Sequence, residues 1–163
     1  MNWYALYTRP RFEKKVLKEL EELGYEAYLP IKRELRQWSD RKKWIEEPLI
    51  RSYVFIKTEP KQLPLASQVN GVACPVTFNG RPATIRAEEI KAIRMIISGP
   101  DLFDVEEISF TKGEPVSIIE GPLKGLKGNW INYRGGQRVA IRIDQLQKDI
   151  IVEVPTAYVK KEI

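Results

Sequence analysis

The chain has 163 residues, with 27 lysines and arginines against 22 acidic residues, and contains no histidine. Its formal charge of +5 favours an anionic partner without specifying a fold. The missing imidazole removes the usual general base, the commonest metal ligand and every Ser-His or Cys-His nucleophile, so the chain reads as a binding protein and not as an enzyme or a zinc protein.

Met1-Asn2-Trp3-Tyr4 lacks the charged-then-apolar order of a signal peptide, and no apolar run approaches the roughly 20 residues of a membrane span. The expectation is a cytoplasmic protein with no membrane partner. Trp3 to Tyr7 reads as a first strand, turned by Thr8-Arg9-Pro10-Arg11 into a helix with proline near its first position. Phe12, Val16, Leu20 and Leu23 recur at helical spacing, and Gly24 supplies the stop. The basic residues Arg9, Arg11, Lys14, Lys15 and Lys18 crowd towards the start of this helix, against the sense of its dipole. They form either a solvated helix face or a phosphate-contacting patch.

Glu26 to Ile31 reads as a second strand, and Lys32 to Ile45 as a long hairpin whose tip carries Arg41, Lys42 and Lys43, candidate contacts to nucleic acid. Its aromatics, Trp38 and Trp44, either pack on the sheet or stack on bases. Glu46-Glu47 and Glu88-Glu89 read as solvated charges, because adjacent side chains do not face each other on a helix or strand. Tyr53 to Ile56 is an unbroken run of large apolar side chains fenced by Pro48 and Pro60, the pattern of a strand buried on both faces in mid-sheet. A loop and short helix over 60–66, a turn at Asn70-Gly71, a strand at 76–78 and a turn at Asn79-Gly80 follow. Cys74, the single cysteine, reads as a small buried hydrophobe. Ala87 to Ser98 is a second long helix with Ile90, Ile93 and Ile97 inward, ended by Gly99-Pro100.

This order predicts an α+β domain over 1–99, an antiparallel sheet flanked by helices. The acidic stretch 100–111 shows neither period nor turn chemistry and reads as a linker. From 112 to 163 the texture changes to short β segments separated by glycine, which fits a small five-stranded β-barrel. Val139, Ile141 and Ile143 are expected inward, with Ala140, Arg142 and Asp144 facing water.

Gly113-Glu114-Pro115-Val116-Ser117-Ile118-Ile119-Glu120-Gly121-Pro122-Leu123-Lys124-Gly125-Leu126-Lys127-Gly128 resembles a KOW motif, whose domain is an SH3-like barrel. Trp3 to Thr8 together with Glu47 to Ile56 resembles the N-terminal (NGN) domain of NusG-type transcription factors. Both resemblances occur in the family's order. Glu47 to Lys57 and the short linker look closer to the specialised paralogues of the RfaH and UpxY kind than to housekeeping NusG. The resemblance implies a transcription elongation or antitermination factor that needs no cofactor. It implies docking on the clamp helices of the RNA polymerase largest subunit through Tyr7, Ile50, Tyr53, Phe55 and Phe78, and suppression of pausing.

Arg9 and Lys15 match positions where specialised paralogues carry basic residues near non-template DNA; nascent RNA is the other nucleic acid within reach. The barrel is expected to recruit a ribosomal protein or Rho through Ile119 and Leu126, residues that could equally fill its core. Two departures stand out: Arg51-Ser52 replaces the family's Pro-Gly or Pro-Asn before the tyrosine, and Asn70 replaces the basic residue that RfaH carries before Gly71. RfaH's C-terminal domain can form a helical hairpin, but Gly121, Gly125, Gly128, Gly135 and Gly136 would each cost about 1 kcal/mol inside helices, so strands are expected here. The competing readings are a general NusG-like elongation or termination factor and a ribosome-associated KOW protein that binds RNA.

Overall fold

The computed structural model describes residues 1–99, 102–107 and 113–162. Its contacts divide the chain into two units, Met1–Ala87 and Glu88–Ile163.

In the first unit β1 (Asn2–Thr8) leads through a turn to α1 (Glu13–Glu22), followed by β2 (Glu26–Tyr28), a long hairpin of β3 (Ile31–Gln37) and β4 (Lys42–Pro48), and β5 (Tyr53–Thr58). Then come the single-turn α2 (Leu63–Ala66), β6 (Val72–Pro75), the small hairpin of β7 (Thr77–Phe78) and β8 (Arg81–Pro82), and β9 (Thr84–Ile85). The main sheet runs β2-β5-β1-β6, with β9 also pairing with β1. Every pairing is antiparallel. β5 lies between β2 and β1, the mid-sheet place that its apolar run demands.

Alternation along β1 and β5 separates two faces. Tyr4 sits opposite Ile56 and Leu6 opposite Val54, and these four join Val16 and Leu20 of α1 and Leu63 and Ala66 of α2 in one buried cluster. The other face carries the pairs Ala5 with Phe55 and Tyr7 with Tyr53.

The strand-to-helix corner differs from the expected form. Pro10 does not open the helix. Phe12 N donates to Arg9 O at 3.1 Å, closing a β-turn in which Pro10 is the second residue and Arg11, at φ 68°, the third. That is the backbone of a turn favouring proline then glycine, and the helix begins only at Glu13. Cys74 is exposed, not buried, because β6 ends the sheet path and Cys74 pairs with the equally exposed Tyr7.

The second unit contains all but the first residue of α3 (Ala87–Ser98), then β10 (Leu102–Glu107), β11 (Glu114–Ile118), β12 (Lys127–Tyr133), β13 (Gly136–Ile143), β14 (Lys148–Val152) and β15 (Val159–Lys161). Ile90, Ile93 and Ile96 are the buried isoleucines of α3; Ile97, expected inward, is only half-buried, one position past the stripe. The six strands form one antiparallel sheet in the order β10-β14-β13-β12-β11-β15. Five of them follow residue 112, and none of the glycine-rich segment is α-helical. Residues 102–107, read from sequence as linker, form β10 instead. The strand satisfies its backbone along β14, with Glu107 opposite Lys148, a long-range partner invisible to a local search for period. The remaining linker positions, 100, 101 and 108–111, lie outside the described residues.

Val139, Ile141 and Ile143 are buried as their alternation predicts. Ala140 is buried too, because the opposing position on β14 is the buried Ile151. Arg142 pairs across the strands with Asp149 at 3.1 and 3.4 Å. The Asp149 carboxylate, accepting those bonds, raises the Arg142 guanidinium above its ordinary pKa, so the arginine stays charged throughout the neutral range. Gly128 lets β12 approach β13 closely: an added Cβ would lie 2.5 Å from the Ala140 carbonyl oxygen.

Candidate interaction surfaces

The residues expected to form an apolar hollow divide by burial. Tyr7 is 44% exposed although it lies on a central strand, and its ring meets that of Tyr53 edge to face at 5.5 Å. Cys74 continues the row on the other side of Tyr7. A strip of accessible side chains thus crosses β5, β1 and β6 at one end of the sheet. Sequence reasoning missed Cys74 because only the β1–β6 pairing brings it there. Phe55 is fully buried, stacked on Tyr28 at 6.4 Å, and Ile50 is 2% exposed. These two present no surface of their own; Phe55 lies on the same face as Tyr53, two residues along β5. Phe78 is 65% exposed but sits on the separate β7–β8 hairpin.

Arg9, Arg11, Lys14, Lys15 and Lys18 are all exposed around the corner where β1 turns into α1. Two of them are held in place: Lys14 Nζ donates to Glu46 O at 3.0 Å, and Lys15 Nζ lies 5.3 Å from the centre of the Phe12 ring. A cleft of about 440 Å³ opens beside them, with Arg11, Lys14 and Arg51 on its walls. Arg51 was not anticipated, since it precedes β5 in sequence and reaches this corner only through the fold. Three backbone bonds lock the corner: Thr8 N to Ser52 O and Arg9 N to Gly71 O, both 2.8 Å, and Phe12 N to Arg9 O. Gly71 lies at φ 99° with Phe12 against it; a Cβ there would fall 2.6 Å from Phe12 Cδ1, so glycine is required twice over. Glu13, almost wholly buried, accepts from Ser52 N at 3.4 Å through Oε2, while Oε1 has no protein partner.

The β3–β4 hairpin forms its own two-stranded sheet. Arg41, Lys42 and Lys43 are exposed at its tip, as expected. Trp38 and Trp44 are exposed as well, so packing on the main sheet is not what these indoles do. In the second unit Ile119 is 40% exposed and Leu126 half-buried; Leu123, between them, is the residue that fills the core. Among the described residues no group of three acidic or cysteine side chains is placed to hold a metal ion.

A five-stranded antiparallel sheet backed by helices, followed by a unit in which α3 precedes a six-stranded antiparallel sheet, makes a two-unit α+β protein whose accessible features include an aromatic strip and basic patches. The sequence profile of the NusG family, transcription termination factor NusG, matches residues 1–94, and the chain belongs to this family. Among solved structures it is similar to Thermotoga maritima NusG, in a structure concerned with domain interaction, at 22% identity and a TM-score of 0.59, covering 98% of this chain and 96% of that one. That likeness extends the shared fold beyond the matched segment. Weaker overlaps, with TM-scores of 0.34 and 0.35, occur with conformations A and B of the MjSpt4:Spt5 complex, at 20% and 21% identity over 98% of this chain and 97% and 95% of those. No curated protein matches the chain.

Proposed function

We propose that the protein is an RNA polymerase-binding elongation and antitermination factor of the specialised, operon-specific kind, acting by binding and not by catalysis. The observation that carries the reading is the Tyr7–Tyr53 pair, an edge-to-face aromatic contact left accessible on the two central strands of the main sheet. Tyrosines suit such a site, because the ring buries against an apolar partner while the hydroxyl keeps a polar contact. The proposed partner is the clamp-helix hairpin of the polymerase largest subunit, docked on Tyr7 and Tyr53 with Phe78 at a margin and with Ile50 and Phe55 as the rigid floor. The docking domain is taken to run from 1 to 99.

The mechanism is a shift of populations. A factor that binds the elongating state of the polymerase more tightly than the paused state depletes the pause, and a differential of about 1.4 kcal/mol lowers its occupancy tenfold. The exposed cations of the corner, Arg9, Arg11, Lys14, Lys15 and Lys18, joined by Arg51, supply phosphate contacts to non-template DNA or nascent RNA. Residues 112–163 are taken as the KOW domain. The exposure of Ile119 supports a second docking site there, for a ribosomal protein or Rho. Titrating an isolated clamp-helix hairpin against the wild type, Tyr7→Ala and Ile119→Ala tests the assignment. Micromolar binding weakened at least tenfold by Tyr7→Ala and unchanged by Ile119→Ala is expected; loss of clamp binding on Ile119→Ala instead would move the polymerase site to the second unit.

A further inference from the structure

One face of the β3–β4 hairpin differs sharply from the other. The register places Leu35 opposite Trp44, Arg33 opposite Glu46 and Gln37 opposite Lys42 on one face, and Glu34 opposite Ile45, Arg36 opposite Lys43 and Lys32 opposite Glu47 on the other. On the second face Arg36 is engaged, bonding Glu47 at 3.0 Å and lying 3.6 Å from Glu34. The first face leaves a large apolar surface in water, with Leu35 46% and Trp44 54% exposed. Arg33 lies over the Trp44 ring at 4.8 Å, setting a cation against one face of the indole. Towards the tip follow Lys42 and, in the turn, Arg41; no ion pair engages either among the described residues, and Trp38 is exposed beside them.

We infer that this face is a stacking platform for an unpaired nucleic-acid strand: Trp44, braced by Arg33 and Leu35, receives a base, while Lys42 and Arg41 take the flanking phosphates. The inference builds on the reading of the hairpin tip as a nucleic-acid contact and adds to it the strand type and the residue that selects it. The complementarity is specific in kind. An exposed indole beside cations that no ion pair engages offers a π-face together with positive charge, which single strands satisfy without regard to sequence. A duplex keeps its bases stacked on one another, so it meets the cations but leaves the indole unused. An acidic protein surface would meet the charge and gain little from the flat ring.

The test is fluorescence anisotropy of the full-length chain with labelled oligo-dT and oligo-rU of about 12 nucleotides, a span within the usual single-strand site size, and with a duplex of equal length. Wild type is expected to bind both single strands more tightly than the duplex, and the ratio of dT to rU tells displaced DNA from RNA as the preferred source. Trp44→Ala is expected to weaken single-strand binding about tenfold and leave duplex binding unchanged. Trp44→Phe, which keeps an aromatic opposite Leu35, should restore most of it, while Ile45→Ala, on the opposite face of the same strand, controls for a merely disturbed hairpin and should leave single-strand binding unchanged. Lys42→Ala should lower the salt dependence on single strands by about 0.7 in log-log slope. Equal affinity for single strand and duplex, or a Trp44→Ala variant that binds like wild type, would overturn the platform. Clamp-helix binding by the same variants separates this outcome from failure of the polymerase assignment, since Trp44→Ala is expected to dock normally.

Discussion

Ser52 shows how much a single residue of this corner carries. It sits at φ 66°, a region that side chains other than glycine and asparagine enter at a cost. The conformation is held because Ser52 O accepts from Thr8 N and Ser52 N donates to Glu13 Oε2. Ser52→Gly keeps both backbone bonds and removes the strain. It is expected to raise stability by about 0.5–1 kcal/mol, read as a higher urea midpoint at unchanged slope. Residue-level legibility was uneven for physical reasons. Tyr7 and Tyr53 could be singled out because a tyrosine in an apolar strand advertises a half-wet site. Arg51 and Cys74 could not, because their neighbours come from other strands. Phe55 and Ile50 have side chains equally suited to core and surface, and only packing tells which they serve.

At the scale of elements, α1 and β5 were the plainest in the sequence, one through 3.6-residue spacing and the other through an unbroken apolar run. Both prove central to the first unit's core. Val16 and Leu20 of α1 are fully buried against Val54 and Ile56 of β5. Leu20→Ala is expected to cost about 2–5 kcal/mol, depending on how far the cluster collapses, measurable as a fall in the denaturation midpoint of the first unit. β10 was hidden for the opposite reason: its order comes from pairing with β14, about 45 residues later, and not from a period of its own. The Arg142–Asp149 pair joins β13 to β14. Asp149 is buried while Arg142 reaches water, so Asp149→Ala strips the guanidinium of its two bonds; a loss of about 1.5–3 kcal/mol is expected in the second unit's unfolding. Because Arg142 is held above an already high pKa, its charge is fully present at neutral and moderately alkaline pH. Its share of the stability should therefore stay constant there and vanish only at extreme alkalinity, as pH rises through the raised value.

For the whole molecule, class and family were legible from two local signatures, the Trp3–Thr8 and Glu47–Ile56 segments and the glycine-punctuated stretch after 112. The outline of an α+β fold with antiparallel sheets and a strand-rich final third holds. The candidate sites were legible in composition and less so in shape: the basic residues near α1 are indeed clustered and exposed, whereas the aromatic hollow contracts to a strip built on Tyr7 and Tyr53. The account of function rests on that strip. Its most direct test is pausing by a reconstituted RNA polymerase elongation complex on a template with a strong pause, with wild-type protein and with Tyr53→Ala shown to be folded. Wild type is expected to bind the complex and shorten the pause, and Tyr53→Ala to lose both together, about tenfold or more. Undiminished pause suppression by Tyr53→Ala, or a wild type that leaves the complex unbound, would contradict the account.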